Sequence, residues 1–230
     1  MEMNRRSRCR GNVPVIHICQ MIDEYMRLLE SDDCLRSKPD LGLGGIVPNL
    51  LRAPKALPYQ EILDALRSVR ATQTDKRLHL FGVGGTATLH LARLLRIDSV
   101  DSSGWRNRAA RGIVQLPGHG DRSVADLGSW KGRKPSVEEW AELDACRCPA
   151  CRRFGLDGLR KSRIEGFCNR ATHNLWTLLE ESRLIDAHLQ AGSYQDWYGG
   201  HIRNSVYRPL IDYVLDRGDA VGRTTYVLDE

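Results

Sequence analysis

Three thiols and one imidazole are the residues whose types and spacing most plainly specify chemistry. They are Cys146, Cys148 and Cys151 in C-R-C-P-A-C, and His173 in A-T-H-N-L. Thiolates at this spacing, closed by an imidazole, suit the tetrahedral preference of Zn²⁺. The C-x-C-x-x-C run puts three sulfurs on one short turn, and His173 is expected to open an apolar-periodic helix that folds back onto it. Four protein ligands leave no open coordination position, so the expected ion is a structural staple and not a reaction centre. A redox pair or disulfide is the rival reading. Seven cysteines, an odd number, are scattered along a chain with no secretory signal. That pattern fits a reducing compartment, where clustered thiols usually bind metal. Cys168 is the alternative fourth ligand; Cys9, Cys19 and Cys34 read as ordinary free thiols.

The elements that must hold these residues belong to a chain of 230 residues with 41% hydrophobic content and a net charge of +5. That length suits one large domain or one and a half smaller ones. No run of about 18 apolar residues exists, so no membrane span is expected. The start M-E-M-N-R-R-S-R-C-R is basic without an apolar stretch behind it, which is not a signal peptide. A cytoplasmic location is the expectation. Basic residues cluster at Arg5–Arg10, at Arg106, Arg108 and Arg111, and around the thiols at Arg147, Arg152, Arg153, Arg160, Lys161 and Arg163. These are either solvated surface or a strip that holds phosphates.

From residue 13 the pattern alternates strand and helix. V-P-V-I-H-I (13–18) is short and β-branched, a strand. Residues 20–30 carry apolar side chains at helical spacing. L-G-L-G-G-I-V (41–47) reads as a buried strand with a glycine-rich end, and Tyr59 to Val69 as a helix. R-L-H-L-F-G-V (77–83) is the next strand, 86–95 a short helix and D-S-V-D-S (98–102) a last strand. Such alternation predicts a parallel sheet of α/β class, with units of the size found in a (β/α)₈ barrel, about half of one. A doubly wound sheet is the alternative, but neither glycine run gives G-x-G-x-x-G, so no dinucleotide site is expected. Residues 104–135 are rich in Gly, Arg and Pro and read as irregular. Ser136 with Glu139 predicts a capping box opening a helix to Asp144. Leu175, Trp176, Leu178, Leu179 and Ile185 make the helix after His173 amphipathic, and a final helix is expected near Val206–Leu215, bent or begun at Pro209. The division expected is a basic arm (1–12), a half barrel (13–135), a zinc-binding helical subdomain (136–218) and a tail (219–230), frayed or a short strand.

Three motifs stand in order: L-G-L-G-G-I-V, then L-H-L-F-G-V-G-G followed by I-D-S-V-D-S-S-G-W-R-N-R-A-A-R-G (97–112), then C-R-C-P-A-C with T-H-N-L. The order resembles the C-terminal half of the tRNA-guanine transglycosylase family over roughly residues 13–190. Within it, D-S-S-G-W-R looks closer to the DpdA-like branch, which inserts 7-deazaguanine bases into DNA. The resemblance implies exchange of a guanine in a polynucleotide for a 7-deazaguanine, such as 7-cyano-7-deazaguanine, without chain cleavage. It implies that Asp101, the second aspartate of D-x-x-D, attacks the sugar. A carboxylate can trap an oxocarbenium-like C1′ as a covalent intermediate. Without the resemblance, Asp101 reads as a cap on the turn after its strand. It further implies a base pocket from Gly44, Gly45, Ile46 and Val47, whose bare backbone approaches the base edge, with Phe81 and Gly82 against the base face. His17 falls loosely near a base-reading position and reads equally as a buried histidine. Arg106, Arg108 and Arg111 fall in the segment that contacts phosphate. DNA is the favoured nucleic acid, with tRNA as the alternative; a non-catalytic zinc-containing scaffold is the second class of function. The N-terminal half of the barrel has no counterpart here. A second chain completing the barrel, a homo-oligomer, or a shortened homologue with reduced or no activity are the readings this leaves.

Overall fold

The computed structural model describes residues 12–46, 57–127, 132–203 and 205–218. They form two compact units. One comprises the chain through Val83, Leu91–Ser102 and the helix from Leu210; the other comprises Gly84–His90 and Ser103–Pro209. Residues 1–11 of the basic arm, Cys9 among them, Val47 and the tail beyond Gly218 lie outside the described residues.

The first unit is built on a parallel sheet of β1 (Val15–His17), β2 (Asp40–Gly44), β3 (Arg77–Leu80) and β4 (Ser99–Val100). The strands pair in chain order, β1-β2-β3-β4, with no reversal. Between them in the chain come α1 (Ile22–Ser31), α2 (Asp33–Arg36), α3 (Tyr59–Thr72) and α4 (Thr86–Leu94), the last divided between the units after His90. The parallel α/β arrangement therefore matches the alternation in the sequence. One row of side chains, Ile16, Leu41, Leu43, Leu78 and Leu80, is buried, as are Ile62, Leu66 and Val69 of α3. The opposite row, set by the register Val15↔Gly42, His17↔Gly44 and His79↔Ser99, is glycine, histidine and serine apart from Val15. Successive strand residues face opposite sides, so this row is the sheet's second face.

Local chemistry fastens these elements. The Asp32 side chain caps α2 by accepting from the Cys34 and Leu35 amides at 3.0 and 3.2 Å. Lys76 is buried, and its ammonium donates to the Arg36 and Lys38 carbonyls at 2.6 Å each, at the end of α2. The last helix, α10 (Arg208–Gly218), begins beside Pro209 as expected. Arg67 donates to the Val214 carbonyl at 2.8 Å and Tyr213 to Asp64 at 2.8 Å, which bind α10 to α3.

The second unit departs from the reading of 104–135 as irregular. That stretch forms α5 (Gly104–Ala110) and an antiparallel hairpin of β5 (Ile113–Leu116) and β6 (Gly120–Ser123). Its glycines mark turns: Gly112, Gly118 and Gly120 sit at φ +78°, +63° and +76°, where a Cβ is strained. A Cβ on Gly112 would also lie 2.1 Å from the Ala125 carbonyl. All four residues of β5 are buried. Next come α6 (Val137–Asp144), α7 (Pro149–Arg160, kinked at Gly155), α8 (Arg163–Gln190) and α9 (Tyr194–His201). Val114, Leu116, Leu143, Cys148, Ala150 and Leu159 share one apolar cluster, so hairpin, α6 and α7 pack together.

His173 does not open a helix. It lies midway along the 28-residue α8. Leu175, Trp176 and Leu179, expected on the core face, are exposed, and the core face is largely polar: Asn169, Arg170, His173, Asn174, Thr177 and Glu181. Arg170 is fully buried and donates to the carbonyls of Ala109 (2.8 Å), Leu159 (2.7 Å) and Lys161 (2.7 Å). Asn174 accepts from the Gln115 amide at 2.8 Å and donates to the Trp105 and Ile113 carbonyls at 3.0 and 3.1 Å. These side chains satisfy backbone groups that burial would otherwise leave without partners.

The capping box of α6 forms as the sequence predicts. Ser136 Oγ accepts from the Glu139 amide at 3.3 Å, and Glu139 accepts from the Ser136 amide at 2.9 Å. The Glu139 carboxylate also takes the Arg122 Nε–H at 2.7 Å. That guanidinium bond outweighs burial and holds the Glu139 carboxyl down at about 2. An unfolded glutamate titrates near ~4.3, so this stabilisation is complete above that pH and is lost as pH falls toward 2. Glu139→Gln is expected to lose about 2 kcal/mol at pH 7, with the deficit shrinking between about pH 4 and 2. Urea unfolding of both proteins at several pH values tests this; a deficit independent of pH would contradict the assignment.

Candidate metal centre and candidate active site

The three thiols and His173 converge in the second unit. The His173 Nδ1 lies 3.5, 3.7 and 3.4 Å from the sulfurs of Cys146, Cys148 and Cys151. Bonds of about 2.3 Å to sulfur and 2.0–2.1 Å to nitrogen at tetrahedral angles separate N from S by about 3.5 Å. The donor set therefore has the spacing of a tetrahedral metal site, and its atoms lie within 4.8 Å of one another. Cys148 is the N-cap of α7, and its sulfur accepts the Cys151 amide at 3.3 Å. His173 Nε2 is 2.9 Å from the Gln115 carbonyl. A carbonyl only accepts, so that nitrogen carries a hydrogen, and Nδ1 is the ring atom left facing the sulfurs, a donor to them when protonated and a ligand when an ion takes the proton's place. Hydrogen bonding with Cys146 and Cys151 holds Cys148 far below the ordinary thiol range. Burial opposes a charge on His173, but the Cys146 and Cys148 sulfurs outweigh it and raise the ring to about 9. The pocket thus stabilises a cation among its sulfurs.

Asp101 follows β4 in the first unit, at the carboxyl end of the sheet. Its Oδ1 accepts the Gly82 amide at 2.7 Å. Gly82 sits at φ +76°, a conformation that glycine adopts without strain. The Asp101 side chain is 58% exposed, and the His79 Nε2 lies 3.6 Å from the same oxygen. Phe81 is exposed, with its ring over Gly42: a Cβ there would fall 2.7 Å from the ring. A Cβ on Gly44 would fall 3.1 Å from the His17 ring, and Gly45 lies at φ +77°. A bare-backbone floor, an exposed aromatic ring and a carboxylate thus occupy one face of one sheet. The arrangement can seat a flat heterocycle and present a nucleophile.

No protein-family model matches the chain. It is similar to the tRNA-guanine(15) transglycosylase of Pyrococcus abyssi, 28% identical over 178 residues, covering 74% of this chain and 27% of that protein. It is 25% identical to the enzyme of that name from Thermococcus kodakarensis over 192 residues, 80% of this chain and 30% of that one. The Haloferax volcanii protein of that name is 27% identical over 195 residues, 80% and 34% respectively. The chain is a relative of the tRNA-guanine transglycosylases. It spans about a third or less of the length of these relatives.

Other residues singled out by the transglycosylase resemblance have the following places. Ile46 is buried at 2% exposure, His17 is exposed, and Val47 is outside the described residues. In the second unit Arg106 and Arg111 are exposed, whereas the Arg108 Nε donates to both Asp121 oxygens at 2.7 and 2.8 Å. Arg108 is thereby largely neutralised. Cys168, the alternative fourth ligand, is exposed on α8 and is not among the clustered donors.

Sequence reasoning left His90 and His201 without a role and passed over Glu181. The structure gathers all three. His90 Nε2 and His201 Nε2 each lie 2.8 Å from Glu181 Oε1, and the Gly118 amide donates to Oε2 at 3.2 Å. Tyr194 Oη is 2.7 Å from His90 Nδ1. These are hydrogen-bond lengths, shorter than the roughly 3.3 Å between N and O ligands of a tetrahedral ion. Burial lowers the His90 pKa; it opposes the charge on Glu181, but donation from His201 and His90 wins and lowers that carboxyl. The cluster is a satisfied buried carboxylate linking α4, α8, α9 and the hairpin turn. A His at helical spacing and an acid 91 residues later carry no sequence signal of such pairing.

The metal centre makes a direct prediction. The purified chain should hold one equivalent of a divalent ion, read by elemental analysis, and Cys148→Ala or His173→Ala should hold none. Chelation should cost about 4 kcal/mol of stability if free ion stands 1,000-fold above Kd. Thermal melts unchanged by chelator in an ion-bearing sample would contradict a structural role.

Proposed function

We propose that the chain is a transglycosylase, or the catalytic part of one, that exchanges guanine in a nucleic acid for a 7-deazaguanine. The observation that carries this reading is the Asp101 carboxylate, exposed at the end of β4 and steadied by the Gly82 amide beside the glycine floor and Phe81. The printed activity of the relatives supports it. In this reading Gly44, Gly45, Ile46 and Val47 offer backbone to the base edge, and Phe81 and Gly82 meet its face. Asp101 attacks C1′ as the glycosidic bond breaks; guanine leaves with the bonding pair and takes up a proton at N9. The incoming 7-deazaguanine then loses its N9 proton, attacks C1′ and frees the carboxylate. Nothing is oxidised or reduced. Reaching C1′ in a duplex requires extrusion of the nucleotide, or a single-stranded target. Arg106 and Arg111, which the resemblance assigns to phosphate, are exposed in the second unit.

The ion proposed for Cys146, Cys148, Cys151 and His173 is Zn²⁺, which would supply a cross-link and no chemistry. The four strands in chain order are proposed to be half of a (β/α)₈ barrel, with the small and polar face of the sheet turned inward. Further strands, from a second chain or a second copy of this one, would complete it. The segment D-S-S-G-W-R favours DNA as substrate; the names of the relatives favour tRNA. A zinc-bearing scaffold without catalysis is the competing class, and a strand-end carboxylate steadied by a backbone amide argues against it.

The test incubates the chain with 7-cyano-7-deazaguanine and guanine-labelled DNA or tRNA in parallel. Label release should occur with one of them and fall by at least about 10³-fold in Asp101→Asn, whose amide is a poor nucleophile. Binding without release in the wild-type protein would favour the scaffold. Release at the wild-type rate in Asp101→Asn would remove Asp101 from the mechanism.

A further inference from the structure

We propose that His79 is the positioning residue for Asp101, a role that rests on the reading of Asp101 as the nucleophile. The sheet register brings it there. His79 pairs with Ser99 across β3 and β4, so both side chains stand on the face that carries Phe81 and Asp101. The His79 ring is held on two sides. Its Nδ1 is 2.8 Å from Ser99 Oγ, and it meets the Phe81 ring edge-on at 4.6 Å and 72°. The remaining nitrogen, Nε2, faces Asp101 Oδ1 at 3.6 Å. The side chain is 28% exposed.

The geometry divides the two carboxylate oxygens. Oδ1 takes the Gly82 amide and faces His79, while Oδ2 has no hydrogen-bond partner among the described residues. Oδ2 therefore keeps its lone pairs and is the oxygen that bonds C1′. After attack Oδ1 becomes the ester carbonyl and still accepts from the same donors, so the site need not rearrange. The acceptor-only carboxylate favours one tautomer, and the Ser99 hydroxyl, which can donate or accept, supports it. A Ser99 O–H donated to Nδ1 leaves the hydrogen on Nε2, aimed at Oδ1. The opposite tautomer would set a lone pair against a carboxylate. At 3.6 Å the contact is longer than a hydrogen bond; seating a base on the Phe81 side and expelling water would strengthen it. His79 touches the nucleophile and not the reacting carbon, so its effect is on aim.

Three variants test this in the full chain: His79→Phe removes the donor, His79→Gln restores one directed at Oδ1, and Ser99→Ala releases the tautomer. His79→Phe should lower kcat for guanine release by about 10²-fold, the scale of a misaligned attack, with KM for nucleic acid changed less than about threefold. His79→Gln should recover about tenfold of that loss, and Ser99→Ala should lose about tenfold. Long-range ¹H–¹⁵N spectra should show the Nε2–H tautomer in the neutral His79 ring and a mixture in Ser99→Ala. His79→Phe turning over at the wild-type rate, His79→Gln no better than His79→Phe at unchanged melting temperature, or an Nδ1–H ring in the wild-type protein would each overturn the proposal. Wild-type protein that shows the Nε2–H ring but releases no guanine from DNA or tRNA would instead overturn the reading of Asp101, which the tautomer measurement does not touch.

Discussion

One hydrogen bond orders much of the second unit: the His173 imidazole to the Gln115 carbonyl at 2.9 Å. It fixes the ring's tautomer, aims Nδ1 at three sulfurs and ties α8 to β5 in a single contact. The neighbouring turns of α8 repeat the device. Arg170 and Asn174 bond backbone groups of α5, α7 and the hairpin from the same buried face. A helix buried through polar side chains must pair most of them, since an unpaired buried donor costs about 1–3 kcal/mol; among the buried side-chain atoms of the described residues only Arg170 Nη2 and Gln115 Oε1 go without a partner. That requirement dictates one register for α8 where an apolar face would tolerate several. The same register sets the imidazole at the separation from the three sulfurs that an ion needs.

The first unit follows a different constraint. Its sheet buries leucines and isoleucine on one side and presents glycine, histidine and aspartate on the other. A row of glycines leaves room that Phe81 and His17 partly fill, and strand ends place Gly82 and Asp101 together. Neither residue is near the other in sequence. Their meeting follows from the parallel pairing of β3 and β4, which sets the ends of adjacent strands side by side. Catalytic groups at the carboxyl ends of parallel strands are the common result of this geometry.

Much of this was legible in advance. Alternating strand and helix patterns predicted the parallel sheet, Ser136 and Glu139 predicted a capping box, and C-R-C-P-A-C with His173 predicted a four-donor cluster. Each rests on short-range chemistry: side-chain period, a three-residue cap, ligand spacing. The misreadings have one cause. In 104–135, glycine and arginine content suggested irregular chain, but three of the glycines take up positive φ at turns, and Arg122 is buried against Glu139. On α8, Leu175, Trp176 and Leu179 lie on the solvent side, because the core side is lined largely with polar groups whose partners lie up to 91 residues away.

The amino-acid sequence by itself determined the alternation of strand and helix in the first unit, the capping box of α6 and the four donors that cluster in the second unit. Those depend on periodicity and motif, which are local. Only the tertiary structure decided which face of α8 is inside, that Arg108 is bound to Asp121, that His90, Glu181 and His201 share one carboxylate oxygen, and that His79 stands between Ser99 and Asp101. Each of these is a pairing of polar groups distant in the chain or on different strands. Such pairs form because desolvation forbids leaving either member alone, and no local pattern records which partner is chosen.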